Sequence, residues 1–155
     1  MSYSPIAGRS AVSPSEMAQF QQQVKTIQII AAGRFFWDTG AVVPAVNVGG
    51  NYVGFLGAVR VAVGDYIFIF QQPLTSLQFT AVPSGQNVFY QTINKSQGFK
   101  SLSPTVKALF PNIPVDAGYG AVEVYCTNAA GAPAEADAIR MLVVAHDLSP
   151  SAIIL

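Results

Sequence analysis

Apolar and polar positions alternate along most of the chain, and turn-forming residues interrupt the alternation every few residues. From Val24 the period is two: Lys25, Ile27, Ile29 and Ala31 fall on one face, Val24, Thr26, Gln28 and Ile30 on the other. That is the period of a strand, whose successive side chains point to opposite faces. Residues 33–37 continue this strand or begin its neighbour, and Asp38-Thr39-Gly40 is a turn signal. Residues 41–57 are rich in Val and Gly and contain Pro44, which predicts short bent strands or an ordered loop. The clearest hairpin pairs residues 58–63 with 66–70 across Gly64-Asp65. A two-residue turn with Gly first matches type II′. Its second strand, Tyr66-Ile67-Phe68-Ile69-Phe70, is apolar on both faces, as expected of a strand buried between two layers. Further strands are predicted over 77–82, stopped by Pro83, and over 87–93, 121–127 and 136–145. A polar loop is expected over 94–102 and a wide loop over 128–135.

Two short stretches depart from this period. Ser13-Pro14-Ser15-Glu16 has the residues of a capped helix start: Ser13 as cap, Pro14 in the first helical position, Glu16 to close a capping box. Met17, Phe20 and Val24 then predict an amphipathic helix over 14–23. Ser103-Pro104 repeats the start, and Val106, Leu109 and Phe110 predict a short helix ended by Pro111. Seven to nine short strands with one or two short helices define an all-β chain, a β-sandwich of jelly-roll-like type. The expected organisation is an extended N-terminal arm over 1–12, one sandwich domain over 13–150 and an apolar tail over 151–155.

Composition narrows the functions open to such a domain. Of the 155 residues, 51% are hydrophobic and only 10% are charged, against about 25% in ordinary globular proteins. Uncharged surface is less costly to desolvate, so the composition suits a chain whose outer faces are covered by partners. Eight Lys and Arg balance eight Asp and Glu, and the cations are scattered along the chain. Nucleic-acid binding needs clustered cations to neutralise phosphates, so no nucleic-acid partner is expected. The N-terminal 23 residues carry only Arg9 and Glu16, unlike the basic arm of a genome-packaging coat protein. No signal peptide is expected, and Pro, Gly, Asn and Gln break both long uncharged stretches, so no membrane span is expected either.

Catalytic chemistry finds little to stand on. One His and one Cys make a structural zinc site untenable, and Asp38, Asp65, Asp116, Asp137 and Asp147 are too far apart in sequence to form a calcium loop. His146-Asp147 near Ser149 and Ser151 lacks the separation by which triad members orient one another, and no Gly-x-Ser-x-Gly elbow exists. Asp38, Asp65 and Asp116 read as turn residues. Glu123 is the exception: it falls in mid-strand, on the face opposite Val122, Val124 and Cys126, and is the one acid for which an odd environment is to be checked. Cys126 itself reads as a buried strand thiol. Trp37, Tyr52, Phe55 and Tyr119 fit either core packing or an aromatic sugar platform. No enzyme activity and no cofactor are expected.

A compact β domain with arms, low charge and no catalytic set resembles the small decoration or cement proteins of phage capsids, a likeness of type that spans the whole chain. The resemblance implies a virion protein made in the host cytoplasm. It would sit on the capsid surface as a homodimer or homotrimer and stabilise the shell by binding the major capsid protein or another virion protein. Tyr3, Ile6, Ile153, Ile154 and Leu155 are the expected contact residues, being apolar in segments with no evident core role. A carbohydrate-binding or tail-associated sandwich module and a self-assembling jelly-roll coat protein fit the same pattern.

Overall fold

The computed structural model describes residues 13–17, 28–72, 79–85, 88–95, 97–136 and 138–145. The strands are β1 (Gln28–Phe36), β2 (Ala45–Val46), β3 (Gly49–Val53), β4 (Phe55–Ala62), β5 (Asp65–Phe70), β6 (Phe79–Ser84), β7 (Phe89–Lys95), β8 (Ala121–Thr127) and β9 (Ala138–Ala145). They form two sheets, wholly antiparallel: sheet I in the order β3-β1-β9-β6 and sheet II in the order β2-β4-β5-β8-β7. The chain passes from one sheet to the other after β1, β2, β3, β5, β6 and β8, which makes the two sheets faces of one sandwich.

Each sheet supplies its inward residues to a common core. Phe35, Phe79, Ile139, Met141 and Val143 come from sheet I, and Phe55, Tyr66, Phe68, Val122 and Val124 from sheet II. Aromatic rings meet edge to face across the interlayer. Phe35 lies 4.9 Å from Phe68 at 80°, and Phe70 lies 4.8 Å from Phe79 at 88°. That arrangement sets ring edges against ring faces, the favoured sense of the aromatic quadrupole.

Sheet II is covered on its other side as well. Residues 97–119 cross its outer face, through a 3-10 helix (Gly98–Ser101) and a one-turn α-helix (Pro104–Lys107). They seat Phe99, Leu102 and Val106 on Val59, Ile67, Ile69 and Ala121. Hence β5 is buried on both faces, as its unbroken apolar run predicts: Tyr66, Phe68 and Phe70 face the sandwich core, Ile67 and Ile69 the cap. Ser103 caps its helix by accepting a hydrogen bond from the Val106 amide at 3.3 Å. The 14–17 turn shows the expected capping box, Ser13 Oγ accepting from the Glu16 amide and Glu16 Oε1 from the Ser13 amide. Residues 18–23 of that predicted helix lie outside the described residues.

The hairpin turn sits one residue earlier than the sequence pattern predicts. Its two residues are Val63 and Gly64, with Gly64 second at φ +72°, and Asp65 already belongs to β5. A register shift between Arg60 and Ala62 accompanies it. In β1, a shift between Ile29 and Ala31 separates residues expected on one face, so Ala31 is buried while Ile29 is 66% exposed. One extra residue in a strand reverses the face of everything beyond it. Pro83 does not stop its strand. It lies within β6 at the edge of sheet I, where a residue without an amide proton is tolerated. The expected 94–102 loop is displaced too, since β7 runs to Lys95 and the 3-10 helix follows.

Candidate functional site

Asp65 opens β5 and Glu123 lies in the middle of β8, on the outer face of sheet II beyond the reach of the cap. The register pairs Asp65 with Tyr125 and Ile67 with Glu123, so the two acids are diagonal neighbours on one face. Lys95 projects from β7 on the other side of Glu123, its Nζ 2.6 Å from Oε1. Glu123 is 7% exposed, and Oδ1 of Asp65 is buried without a hydrogen-bond partner. Burial, then the hydrogen bond with Glu123 and its negative charge, pushes the Asp65 carboxyl up to about 7. Burial also pushes Glu123 up, but hydrogen bonds from Asp65 and Lys95, with the lysine charge, outweigh it and hold Glu123 below its ordinary value. Thus Asp65 keeps the proton and Glu123 carries the charge. The mid-strand acid that the sequence singles out, Glu123, is in an unusual setting. Its partner is a residue that reads as a plain turn aspartate.

This pair lacks what hydrolysis requires. Glycosidic cleavage needs two carboxyl groups facing each other across a cleft that admits the sugar. Here both acids stand side by side on adjacent strands of one face. Nor do they collect a third metal ligand: no group of three or more His, Cys, Asp and Glu side chains is assembled among the described residues.

A second polar cluster lies at the rim of the core. Arg60 is 5% exposed, and its Nε and Nη2 donate to the Glu135 carboxylate at 3.0–3.1 Å and 2.6 Å. Tyr66 Oη donates to the same carboxylate at 3.0 Å and accepts from the Ala136 amide at 3.3 Å. The segment 128–136 that carries Glu135 first turns on Asn128, whose Oδ1 accepts from the amides of Ala130 and Ala132. Buried charge is tolerated when it is paired and its lone pairs are filled, and this cluster does both. Its work is to fasten the β8–β9 connection to the β4–β5 hairpin.

The aromatic platform does not form. Trp37 and Phe55 are 7% and 3% exposed, both within the core, and Trp37 packs on Tyr66 with ring centroids 4.6 Å apart. Tyr52 stacks on Phe35, and Tyr119 packs against the cap cluster on the far side of sheet II. Cys126 is buried in the core as expected, which drives its thiol up to about 12. Tyr3, Ile6, Ile153, Ile154 and Leu155, the contact residues expected from the sequence, lie outside the described residues, as do His146 and Asp147.

The remaining feature is the outer face of sheet I. Across its four strands the register sets Val53, Ala32, Leu142 and Val82 in one row, and Asn51, Arg34, Arg140 and Ser84 in the next. Val53 and Val82 are 71% and 48% exposed, and both arginines are exposed. The side chains that form this face are spread over residues 29 to 144, and sequence spacing alone does not bring them together. The chain matches no family model, no curated protein and no solved structure. No helix among the described residues is long and apolar enough to cross a membrane.

Proposed function

We propose that this protein is a non-enzymatic structural subunit that docks on a larger assembly through the outer face of sheet I. Its specific form is a decoration protein of a phage or virus particle, bound to the major capsid protein or another shell component. The observation that carries this reading is the asymmetry of the sandwich. The 97–119 segment covers the outer face of sheet II over β4, β5 and the start of β8, leaving Phe89 and Ile93 of β7 exposed, whereas the outer face of sheet I presents exposed Ile29, Val53 and Val82 from β1, β3 and β6. Contiguous apolar residues on an exposed face mark an interaction surface, whereas singly scattered ones do not. Low charge over the whole chain lowers the cost of covering it. Many copies on a repeating shell would hold by avidity, each contact being modest.

Sedimentation of a native lysate, following this chain by mass spectrometry, tests the proposal. Co-migration with large particles, at copy numbers comparable to the main shell protein, is the expected result. Recovery only among small soluble species would overturn it.

A further inference from the structure

Arg34 and Arg140 are directly opposed on adjacent strands, β1 and β9, on the face of sheet I that points away from the core. Like charges at directly opposed positions destabilise a sheet. Nothing in the sheet relieves this. None of β1, β3, β6 and β9 carries an Asp or Glu, and neither arginine forms an ion pair among the described residues. With only eight cations in the chain, two stand on opposed positions without a counter-charge among the described residues. Arg34 is held by its own strand, its guanidinium 4.8 Å over the ring of Phe36. The two arginines border a shallow depression floored by Gly33, Gly50 and Asn51. The apolar row Val53-Ala32-Leu142-Val82 runs parallel to the arginine row, about 7 Å away, the repeat between same-face residues of a strand.

We propose that this face docks a segment of a partner protein that places a carboxylate on the arginine row and apolar side chains on the row beside it. Paired guanidiniums offer parallel donors that match a planar carboxylate, and the apolar strip supplies the area that two ion contacts alone would not. A nucleic acid is the poorer occupant, since two cations neutralise too few phosphates and the strip has no apolar counterpart on the backbone. A second copy placed face to face about a two-fold axis would bring four guanidiniums together, so isologous pairing through this row is repulsive. The proposal rests on the structural-subunit reading for the identity of the partner, and on sheet geometry alone for its chemistry.

Two measurements on the full chain test it. In the first, the isotope-labelled protein is titrated with a capped peptide alternating Val and Glu, with its Gln analogue, and with inorganic phosphate. The Glu peptide is expected to shift the Arg34, Arg140, Val53 and Leu142 resonances. The Gln analogue, and the Arg34→Gln/Arg140→Gln protein, should bind at least about tenfold more weakly. Absence of shifts, equal binding of the Gln analogue, or the same response to phosphate alone overturns the proposal. In the second, Arg34→Glu/Arg140→Glu protein is sedimented with particles, beside Lys100→Glu, which alters an exposed charge on the cap. Release of the arginine variant only is expected. If the wild-type and arginine variant both stay bound, this inference falls while the structural role stands. If the wild type never binds particles but the Glu peptide binds at the arginine row, the structural role falls and the inference stands.

Discussion

Asp65 and Glu123 stand diagonally on neighbouring strands and divide a proton unequally, the aspartate holding it and the glutamate, paired with Lys95, going without. The inequality follows from position. Lys95 reaches Glu123, while a buried oxygen of Asp65 has no donor to stabilise its charge.

Stability should therefore fall as pH rises toward neutrality. The folded state keeps a proton on Asp65 up to about 7, whereas the unfolded chain releases it near the ordinary value of 3.8. Between those values the folded state binds more protons than the unfolded, so raising the pH favours unfolding. Glu123, held below its ordinary value, acts in the opposite sense: its contribution is lost as pH falls through its folded value. Urea unfolding at about pH 5 and about pH 8 should show the wild type weaker at the higher pH. Asp65→Asn should flatten the dependence and add about 1 kcal/mol at the higher pH, after discounting for solvent at this partly open site. Equal pH dependence in both proteins would contradict the assignment.

Removing the Glu135 carboxylate should destabilise the sandwich more than an exposed charge would. Glu135→Gln takes the counter-charge from the buried Arg60 guanidinium and replaces one of the two carboxylate oxygens that accept from Arg60 and Tyr66 Oη with an NH2 donor. The expected cost is about 2 kcal/mol, below that of a fully buried pair because the Glu135 side chain is 27% exposed. Arg60→Met combined with Glu135→Leu should cost less than the sum of the two single changes, read from a double-mutant cycle of denaturation midpoints.

The cap over sheet II should be worth several kcal/mol through one side chain. Phe99 is fully buried and packs on Phe110 at 6.1 Å, edge to face. Phe99→Ala is expected to cost about 3–5 kcal/mol in thermal or urea unfolding, and to raise hydrogen exchange in residues 97–119. A loss below about 1 kcal/mol would mean the cap is not packed as described.

Cys126 should be inert in the folded protein. Its thiol is 1% exposed and driven up to about 12, so little thiolate exists at neutral pH. A thiol-specific chromogenic disulfide should react with one equivalent only after denaturation. Prompt reaction under native conditions would refute the burial.

The sandwich was legible because its signals are local. Alternation placed β1, the unbroken apolar run of β5 announced two covering layers, and Ser103-Pro104 announced its helix. What escaped depends on register. The shift between Ile29 and Ala31 reverses a face without changing the sequence period, and the turn at Val63-Gly64 moved Asp65 out of the loop and beside Glu123. Arg34 and Arg140 looked scattered because their proximity exists only once β1 and β9 pair. The aromatic residues misled for the same reason: strand aromatics face in or out by register, and Trp37 and Phe55 face in.

The pairing of β1 with β9 also sets an order of events during synthesis. The β4–β5 hairpin has both its strands in hand once residue 70 has emerged, and β8 can add to it fifty-odd residues later. Sheet I can begin with the β1–β3 pair but stays in two pieces, because β9 lies between β1 and β6 and is the last strand described. Until it is made, β1 and β6 have no common neighbour, and the apolar inner faces of both sheets wait unmatched. Closing contacts of such long sequence separation is slow and leaves strand edges open meanwhile. A nascent chain of this topology therefore carries an unfinished sheet I until β9, the last strand described, joins β1 to β6.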